Sequence, residues 1–139
     1  MLDQEFHFMI LRCFQRSNNW IVREVNKIGL CSGQPKILEY LLENDGATPS
    51  EIACGCALDK STIASLLLRM GKMHLITKTT NQEDGRSVNI FLTESGRQKA
   101  KEVKEICGVV DTCAMSGISE ADRETFTKTL DRIIKNLQN

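Results

Sequence analysis

The chain has 139 residues, of which 41% are hydrophobic and 26% charged, and its formal net charge is zero. This composition predicts one globular domain that can fold without a metal or a disulfide, and it excludes a disordered chain. No apolar run approaches the roughly 20 residues of a membrane span, and the acidic stretch from Met1 to Glu5 does not resemble a signal peptide. We therefore expect a cytoplasmic protein whose thiols are reduced.

The six cysteines and two histidines form no recognisable metal or catalytic motif. Cys54 and Cys56 would point about 200° apart on a helix, which does not suit a shared metal ion. We expect most of the cysteines to be small apolar packing residues, with no metal site and no cofactor. His7 and His74 lie in no nucleophile or metal motif, so the sequence favours a protein that is not an enzyme.

A long helix is predicted from about Asp3 to Ile28, and Gly29 is expected to end it. Its apolar stripe runs over about seven turns and comprises Phe6, Met9, Ile10, Cys13, Phe14, Trp20, Ile21, Val25 and Ile28. Such a stripe is longer than one small core can cover. Part of it is therefore expected to pack against a second chain.

Three helices should follow in close succession. The second begins around Ser32 to Pro35, and the third is short and begins with a capping box formed by Thr48 and Glu51. Asp59 is expected to cap the fourth helix. The predicted inward faces are Ile37, Leu38, Leu41 and Leu42 on the second helix, and Ile63, Leu66, Leu67 and Met70 on the fourth.

Two short helices joined by a tight turn, the second beginning with lysine, serine and threonine, are typical of a helix-turn-helix. Small hydroxyls and a lysine in the first turn of the second helix can reach base edges or phosphates in the major groove. The local charge agrees, because no acidic residue occurs from Lys60 to Gln82. The basic residues of this stretch are Lys60, Arg69, Lys72 and Lys78.

The periodicity then changes from helical to alternating. Residues 75–80 and 87–92 predict a β-hairpin, with a turn-rich tip from Asn81 to Arg86, and a hairpin in this place is a wing. A long helix follows Thr93, Gly117 breaks it, and Ser119 caps the last helix. That helix carries a heptad-like apolar seam composed of Phe126, Leu130, Ile133, Ile134 and Leu137.

This order of elements resembles the MarR family of winged helix-turn-helix transcriptional regulators. The segment Gly29–Gln34 resembles the family's entry to its second helix, and residues 50–53 and 58–63 resemble its helix-turn-helix. Residues 84–86 resemble the wing motif, and residues 92–97 the exit from the wing. The fold class expected is mainly α with a small β-wing, as one domain over residues 1–139.

The resemblance also implies an architecture and a set of DNA contacts. Dimerisation helices would span about residues 3–28 and 95–138, around a DNA-binding lobe at about 32–92. A homodimer would bind a pseudo-palindromic DNA operator, most plausibly as a repressor modulated by a small-molecule effector. Asp84 would orient Arg86, which would enter a minor groove. The predicted DNA-binding residues are Lys60, Ser61, Thr62, Ser65, Arg69, Lys78, Asp84 and Arg86.

Two alternatives remain open from the sequence. The first is a thiol-based redox sensor, for which Cys13 is the nearest candidate although its stripe position favours packing. The second is a protein-interaction module that has lost DNA binding, because the recognition helix carries Ala64, Ser65 and Leu68 where relatives commonly carry more polar residues. Gly55 inside the third helix and Ala57 in the turn also depart from the family pattern.

Overall fold

The computed structural model describes residues 1–80 and 88–138. Within them, a 3-10 helix Leu2–Gln4 is followed by α1 (Phe6–Asn26), α2 (Gln34–Glu43), α3 (Pro49–Cys56), α4 (Lys60–Lys72), β1 (Ile76–Thr80), β2 (Val88–Leu92), α5 (Glu94–Ala114) and α6 (Glu120–Asn136). This order confirms the predicted winged helix-turn-helix. No helix of these residues is both long and apolar enough to cross a membrane.

The first helix is shorter at both ends than the sequence predicts. Glu5 has an extended backbone (φ −77, ψ 140), which separates the 3-10 turn from α1. At the other end α1 stops at Asn26, and Gly29 adopts φ +85. The amide of Leu30 then donates to the carbonyl of Val25 at 3.0 Å. The prediction of a helix to Ile28 was therefore wrong, although Gly29 provides the expected left-handed residue after the helix.

The chain forms two compact units, Met1–Cys107 and Gly108–Asn139. In the first, α3 packs against α2 and α4, while β2 contacts α2 and α3. The predicted inward faces of α2 and α4 are confirmed, except that Leu42 is only partly buried. The largest fully buried apolar side chains are Leu30, Ile37, Leu38, Leu41, Ile52, Ile63, Leu67, Met70 and Ile90.

One polar side chain, Gln34, lies fully buried at the start of α2. Its Oε1 accepts a hydrogen bond from the backbone amide of Cys31 at 2.9 Å, and its Nε2 lies 3.6 Å from Sδ of Met73. A buried amide needs such partners, because leaving it unsatisfied costs about 1–3 kcal/mol. Gln34 thus connects the loop before α2 to the residue that caps the end of α4.

The two strands pair in an antiparallel register in which Ile76 faces Leu92 and Lys78 faces Ile90. The edge of β2 that faces away from β1 forms hydrogen bonds with the loop after α2. Gly46 donates from its amide to the carbonyl of Ile90 at 2.8 Å, and the amide of Ile90 donates to the carbonyl of Ala47 at 2.9 Å. The wing is therefore fastened to the helical core by backbone hydrogen bonds at β2.

In the second unit, Gly117 makes the turn between α5 and α6 with φ +78. Ser119 caps α6 and accepts a hydrogen bond from the amide of Asp122 at 3.1 Å, as the sequence predicts. Arg123 donates to the carbonyls of Met115 and Ile118 and so satisfies the end of α5. Three residues of the apolar seam of α6, Phe126, Ile134 and Leu137, are exposed, and Leu130 and Ile133 are partly buried.

Gly55 has a packing role that the sequence does not reveal. A Cβ added at this position would lie 2.7 Å from Cδ2 of the Tyr40 ring, closer than real Cβ atoms come. The glycine therefore lets α3 approach the aromatic ring on α2. Its cost in helix propensity, about 1 kcal/mol relative to alanine, is offset by this close packing.

We predict that Gly55→Ala lowers the free energy of unfolding by about 1–3 kcal/mol, because the new methyl group overpacks the contact with Tyr40. The matched control is Gly71→Ala in α4, where an added Cβ would meet nothing within 4 Å. That substitution should be neutral or stabilising by about 0.4–1 kcal/mol. Urea unfolding of both variants checks the prediction. A Gly55→Ala protein with the same free energy of unfolding as the native protein would contradict it.

Candidate nucleic-acid interface

The helix α4 has one buried and one outward face. Four apolar side chains point into the core, namely Ile63, Leu66, Leu67 and Met70. The outward positions, at a spacing of three and four residues, are Ser61, Ala64, Ser65 and Leu68, and all four are exposed. Thr62, the third hydroxyl residue predicted to contact DNA, is partly buried.

The preceding helix and the turn hold α4 in place. The capping box of α3 is formed as predicted, with Thr48 accepting from the amide of Glu51 and Glu51 accepting from the amide of Thr48. Ala57 then turns the chain in the left-handed conformation, with φ 55 and ψ 43. A residue with a Cβ is strained there, so the departure from glycine has a cost of about 1 kcal/mol. The resulting pair of helices is the predicted helix-turn-helix.

Asp59 organises the first turn of α4. Its carboxylate accepts from the amide of Thr62 at 2.7 Å and from the hydroxyl of Ser61 at 2.8 Å. The pKa of Asp59 is lowered, chiefly by the hydrogen bond from the Thr62 amide and then by the bonds from the Ser61 and Thr62 hydroxyls. The hydroxyl of Ser61 thus donates to Asp59. Towards a DNA base, Ser61 can act only as an acceptor in this arrangement.

The basic residues Lys60, Arg69, Lys72 and Lys78 are exposed, and two of them converge. Lys60 from α4 and Lys78 from β1 line one small cavity of about 200 Å³ together with Ser50 near the start of α3. Arg69, further along α4, donates from Nη2 towards Sγ of Cys31 at 3.5 Å. Two cations beside the first turn of a helix suit a phosphate group.

The base of the wing is anchored by Asp45, which follows the end of α2. One carboxylate oxygen accepts from the amide of Leu92 at 2.8 Å, and the other accepts from Arg97 at 3.0 Å. Thr93 adds a hydrogen bond from its hydroxyl to the carbonyl of His74 at 2.7 Å. These contacts fix where the strands leave the core. The predicted wing residues Asp84 and Arg86 lie outside the described residues.

The cysteines do not pack as expected. Cys13, Cys31, Cys54 and Cys113 are exposed in the single chain, and Cys56 and Cys107 are partly buried. Cys31 and Cys54 therefore do not pack within the single chain as expected, whereas Cys13 lies on the α1 stripe that is expected to pack against a second chain. Burial raises the pKa of the Cys56 thiol, whose Sγ donates towards the carbonyl of Lys36. Among residues 1–80 and 88–138, no group of three His, Cys, Asp or Glu side chains could hold a metal.

A second cavity of about 260 Å³ lies beside α1 and the start of α2. Phe14, Ile21 and Pro35 supply apolar walls, and Cys107 from α5 contributes to the lining. The ammonium group of Lys36 lies 5.3 Å from the centre of the Phe14 ring. Lys36 and Glu39 place one positive and one negative group in the same lining, so the cavity suits a small, largely apolar molecule.

Comparisons with known proteins agree with this geometry. Residues 21–103 match the family described as transcriptional regulator SarA/Rot. The HTH-type transcriptional repressor IacR of Pseudomonas putida is 26% identical over 131 residues, covering 94% of this chain and 78% of the relative. The organic hydroperoxide resistance transcriptional regulator of Bacillus subtilis (strain 168) is 31% identical over 136 residues, covering 98% and 91%.

A solved structure shows the same fold. It is a MarR family transcriptional regulator from Listeria monocytogenes complexed with 26mer DNA. It aligns with a TM-score of 0.93 and 21% identity, covering 96% of this chain and 89% of that chain.

We predict that Asp59→Ala lowers the urea midpoint of unfolding, because α4 loses its capping carboxylate. Asp59→Asn is the matched control, since asparagine caps helices well without a charge. Because the pKa is lowered on folding, the charge-dependent part of this stabilisation is present above the unfolded-state pKa of about 3.9. This charge-dependent stabilisation is lost as the pH falls through the lower pKa that Asp59 has in the folded protein.

The difference in midpoint between the native protein and Asp59→Ala should therefore shrink in acid, whereas the Asn and Ala variants should differ by a constant amount. Equal midpoints for the native and Ala proteins at neutral pH would show that Asp59 does not stabilise α4.

Proposed function

Since the chain belongs to the SarA/Rot family of transcriptional regulators, we propose that it is a dimeric, sequence-specific DNA-binding repressor that acts in the cytoplasm. The observation that carries this proposal is the outward face of α4, which is exposed and free of carboxylates beyond the cap. Lys60, Arg69 and Lys78 lie beside that face and are exposed. A helix of this kind, held by a preceding short helix, fits the major groove of B-DNA.

The individual contacts follow from position on the helix. Ser61, Thr62 and Ser65 in the first two turns of α4 would approach base edges, with Ser61 accepting rather than donating. Lys60 and Lys78, which converge on one cavity beside Ser50, would hold a backbone phosphate. Arg69, which lies further along α4, would contact another phosphate of the DNA backbone. In the family's pattern, Arg86 would enter a minor groove with Asp84 orienting its guanidinium.

Dimerisation is supported by apolar surface that the single chain leaves exposed. The first half of α1 exposes Phe6, Met9, Ile10 and Phe14, whereas its second half buries Val25. A soluble chain rarely exposes so many large apolar groups in one stripe. Together with the exposed seam of α6, this surface could supply an interface above about 2,000 Å². Two copies would present two recognition helices to successive major grooves, about 34 Å apart on a pseudo-palindromic operator.

An effector would act by changing the spacing between the two recognition helices of the dimer. The cavity beside Phe14 and Lys36 lies between α1, which carries the exposed apolar stripe, and α2, which packs against α3. A small, largely apolar molecule bound there would favour one arrangement of these helices. A coupling of about 1–3 kcal/mol is enough to switch operator occupancy appreciably.

Redox sensing is the second candidate, and the exposure of Cys13 in α1 favours it. An accessible thiol on the expected dimer surface could alter the dimer when oxidised. Peroxide treatment of the protein bound to its operator separates the two mechanisms. If peroxide releases the native protein from its operator but does not release the Cys13→Ser variant, the result would support the thiol sensor. If the native protein stays bound after peroxide treatment, the result would support a ligand-controlled regulator.

We predict that DNA binding is steeply dependent on salt although the chain has no net charge. If a dimer neutralises about eight phosphates, the logarithm of the affinity should fall with the logarithm of the salt concentration with a slope near −7. Lys78→Ala removes one phosphate contact per protomer, so the slope should become shallower by about 2. The measurement is a titration of genomic fragments selected with the purified protein.

Lys128→Ala in α6 is the control, because it removes the same charge from an exposed residue that is not among the predicted DNA contacts, and it should leave the slope unchanged. Failure to retain any genomic fragment at low salt would refute the proposed function. It would favour a protein-interaction module instead.

A further inference from the structure

The outward face of α4 contains apolar surface in the place where base contacts are made. Leu68 is 54% exposed, although it lies in the middle of a well-ordered helix whose other leucines, Leu66 and Leu67, are buried. Ala64 lies one turn earlier on the same face and is also exposed. An exposed leucine alone needs no explanation, but two adjacent apolar groups at the centre of this face mark a contact surface.

Hydrogen-bonding groups are scarce on the same face. Positions 61, 64, 65 and 68 carry no Asn, Gln, Arg or Lys, the side chains that make paired hydrogen bonds to adenine or guanine. The hydroxyl of Ser61 already donates to Asp59 at 2.8 Å. Base discrimination by hydrogen bonds from these four positions is therefore limited to Ser65 and to the acceptor capacity of Ser61.

Charge complementarity identifies DNA as the partner of this surface. Lys60, Arg69 and Lys72 are exposed on the same helix, and no carboxylate follows Asp59 up to Thr80. An apolar patch that binds another protein would not need to be surrounded by lysine and arginine side chains. In the major groove, the only apolar group on a base edge is the C5-methyl group of thymine.

We infer that Ala64 and Leu68 are specificity-determining residues that recognise thymine C5-methyl groups in each operator half-site. This inference rests on the proposed function. The two residues are four apart, which separates them by about 6 Å along the helix axis. They therefore contact thymines at neighbouring positions of one groove, within about two base steps. Leu68 provides the larger apolar area and dominates the preference.

Replacement of thymine by deoxyuridine tests this inference on the native protein. The exchange removes the methyl group and keeps the base pairing and the O4 acceptor. Each contacted thymine should lose affinity about fourfold on replacement, from the burial of one methyl-sized group. A symmetric exchange in both half-sites should lose about 15-fold. Thymines outside the protected half-sites are the DNA control and should tolerate the exchange.

Variants assign the effect to the helix. The Leu68→Ala variant should bind the thymine operator more weakly than the native protein does. It should also have nearly the same affinity for operators with thymine or deoxyuridine at the base that Leu68 contacts. Ser65→Ala changes a neighbouring exposed side chain of the same face and should keep the methyl preference. Since Leu68 is exposed, its replacement does not remove a core contact.

Equal affinity of the native protein for the two operators would overturn the inference and leave the proposed DNA-binding function intact. A methyl preference that persists in Leu68→Ala would overturn the assignment to Leu68. No binding to either operator at low salt would refute the proposed function itself and this inference with it.

Discussion

Packing of Ile63, Leu66, Leu67 and Met70 into the core determines how α4 presents its opposite face. A helix repeats every 3.6 residues, so once these side chains are buried the outward positions are fixed. Each buried leucine contributes about 1.5–3 kcal/mol relative to exposure, which strongly disfavours rotation of the helix. Everything proposed about DNA contacts depends on this orientation.

Both ends of α4 are also held. At its start, Asp59 accepts hydrogen bonds from the amide of Thr62 and from the hydroxyl of Ser61, so the hydroxyl hydrogen of Ser61 is already in use. At its end, Gln34 reaches from α2 to Met73. If α4 binds DNA as proposed, base recognition by this helix would depend on the groups that these contacts leave available.

Local sequence signals predicted the local structure well. The capping box of Thr48 and Glu51 and the cap at Asp59 involve residues three apart, so their geometry follows from the sequence alone. The family resemblance gave the order of elements correctly. Helix bounds were less accurate at α1, because Glu5 takes an extended backbone that no sequence pattern indicated.

Long-range contacts could not be predicted. Asp45 bonds to Leu92 and Arg97, which lie more than 40 residues away along the chain, and no local pattern indicates these contacts. The close approach of the Tyr40 ring to Gly55 is likewise a tertiary contact that the sequence does not show. A place on an apolar helical stripe does not decide whether Cys13 is buried within one chain. In α1 that stripe is largely exposed in the single chain.

Hydroxyl-radical footprinting of a genomic fragment selected by the protein tests the central claim most directly. A dimer that places one α4 in each of two successive major grooves should protect two symmetric segments whose centres are about 10 base pairs apart, or a multiple of one helical turn. A single protected segment, or an affinity without any discrete footprint, would contradict the account.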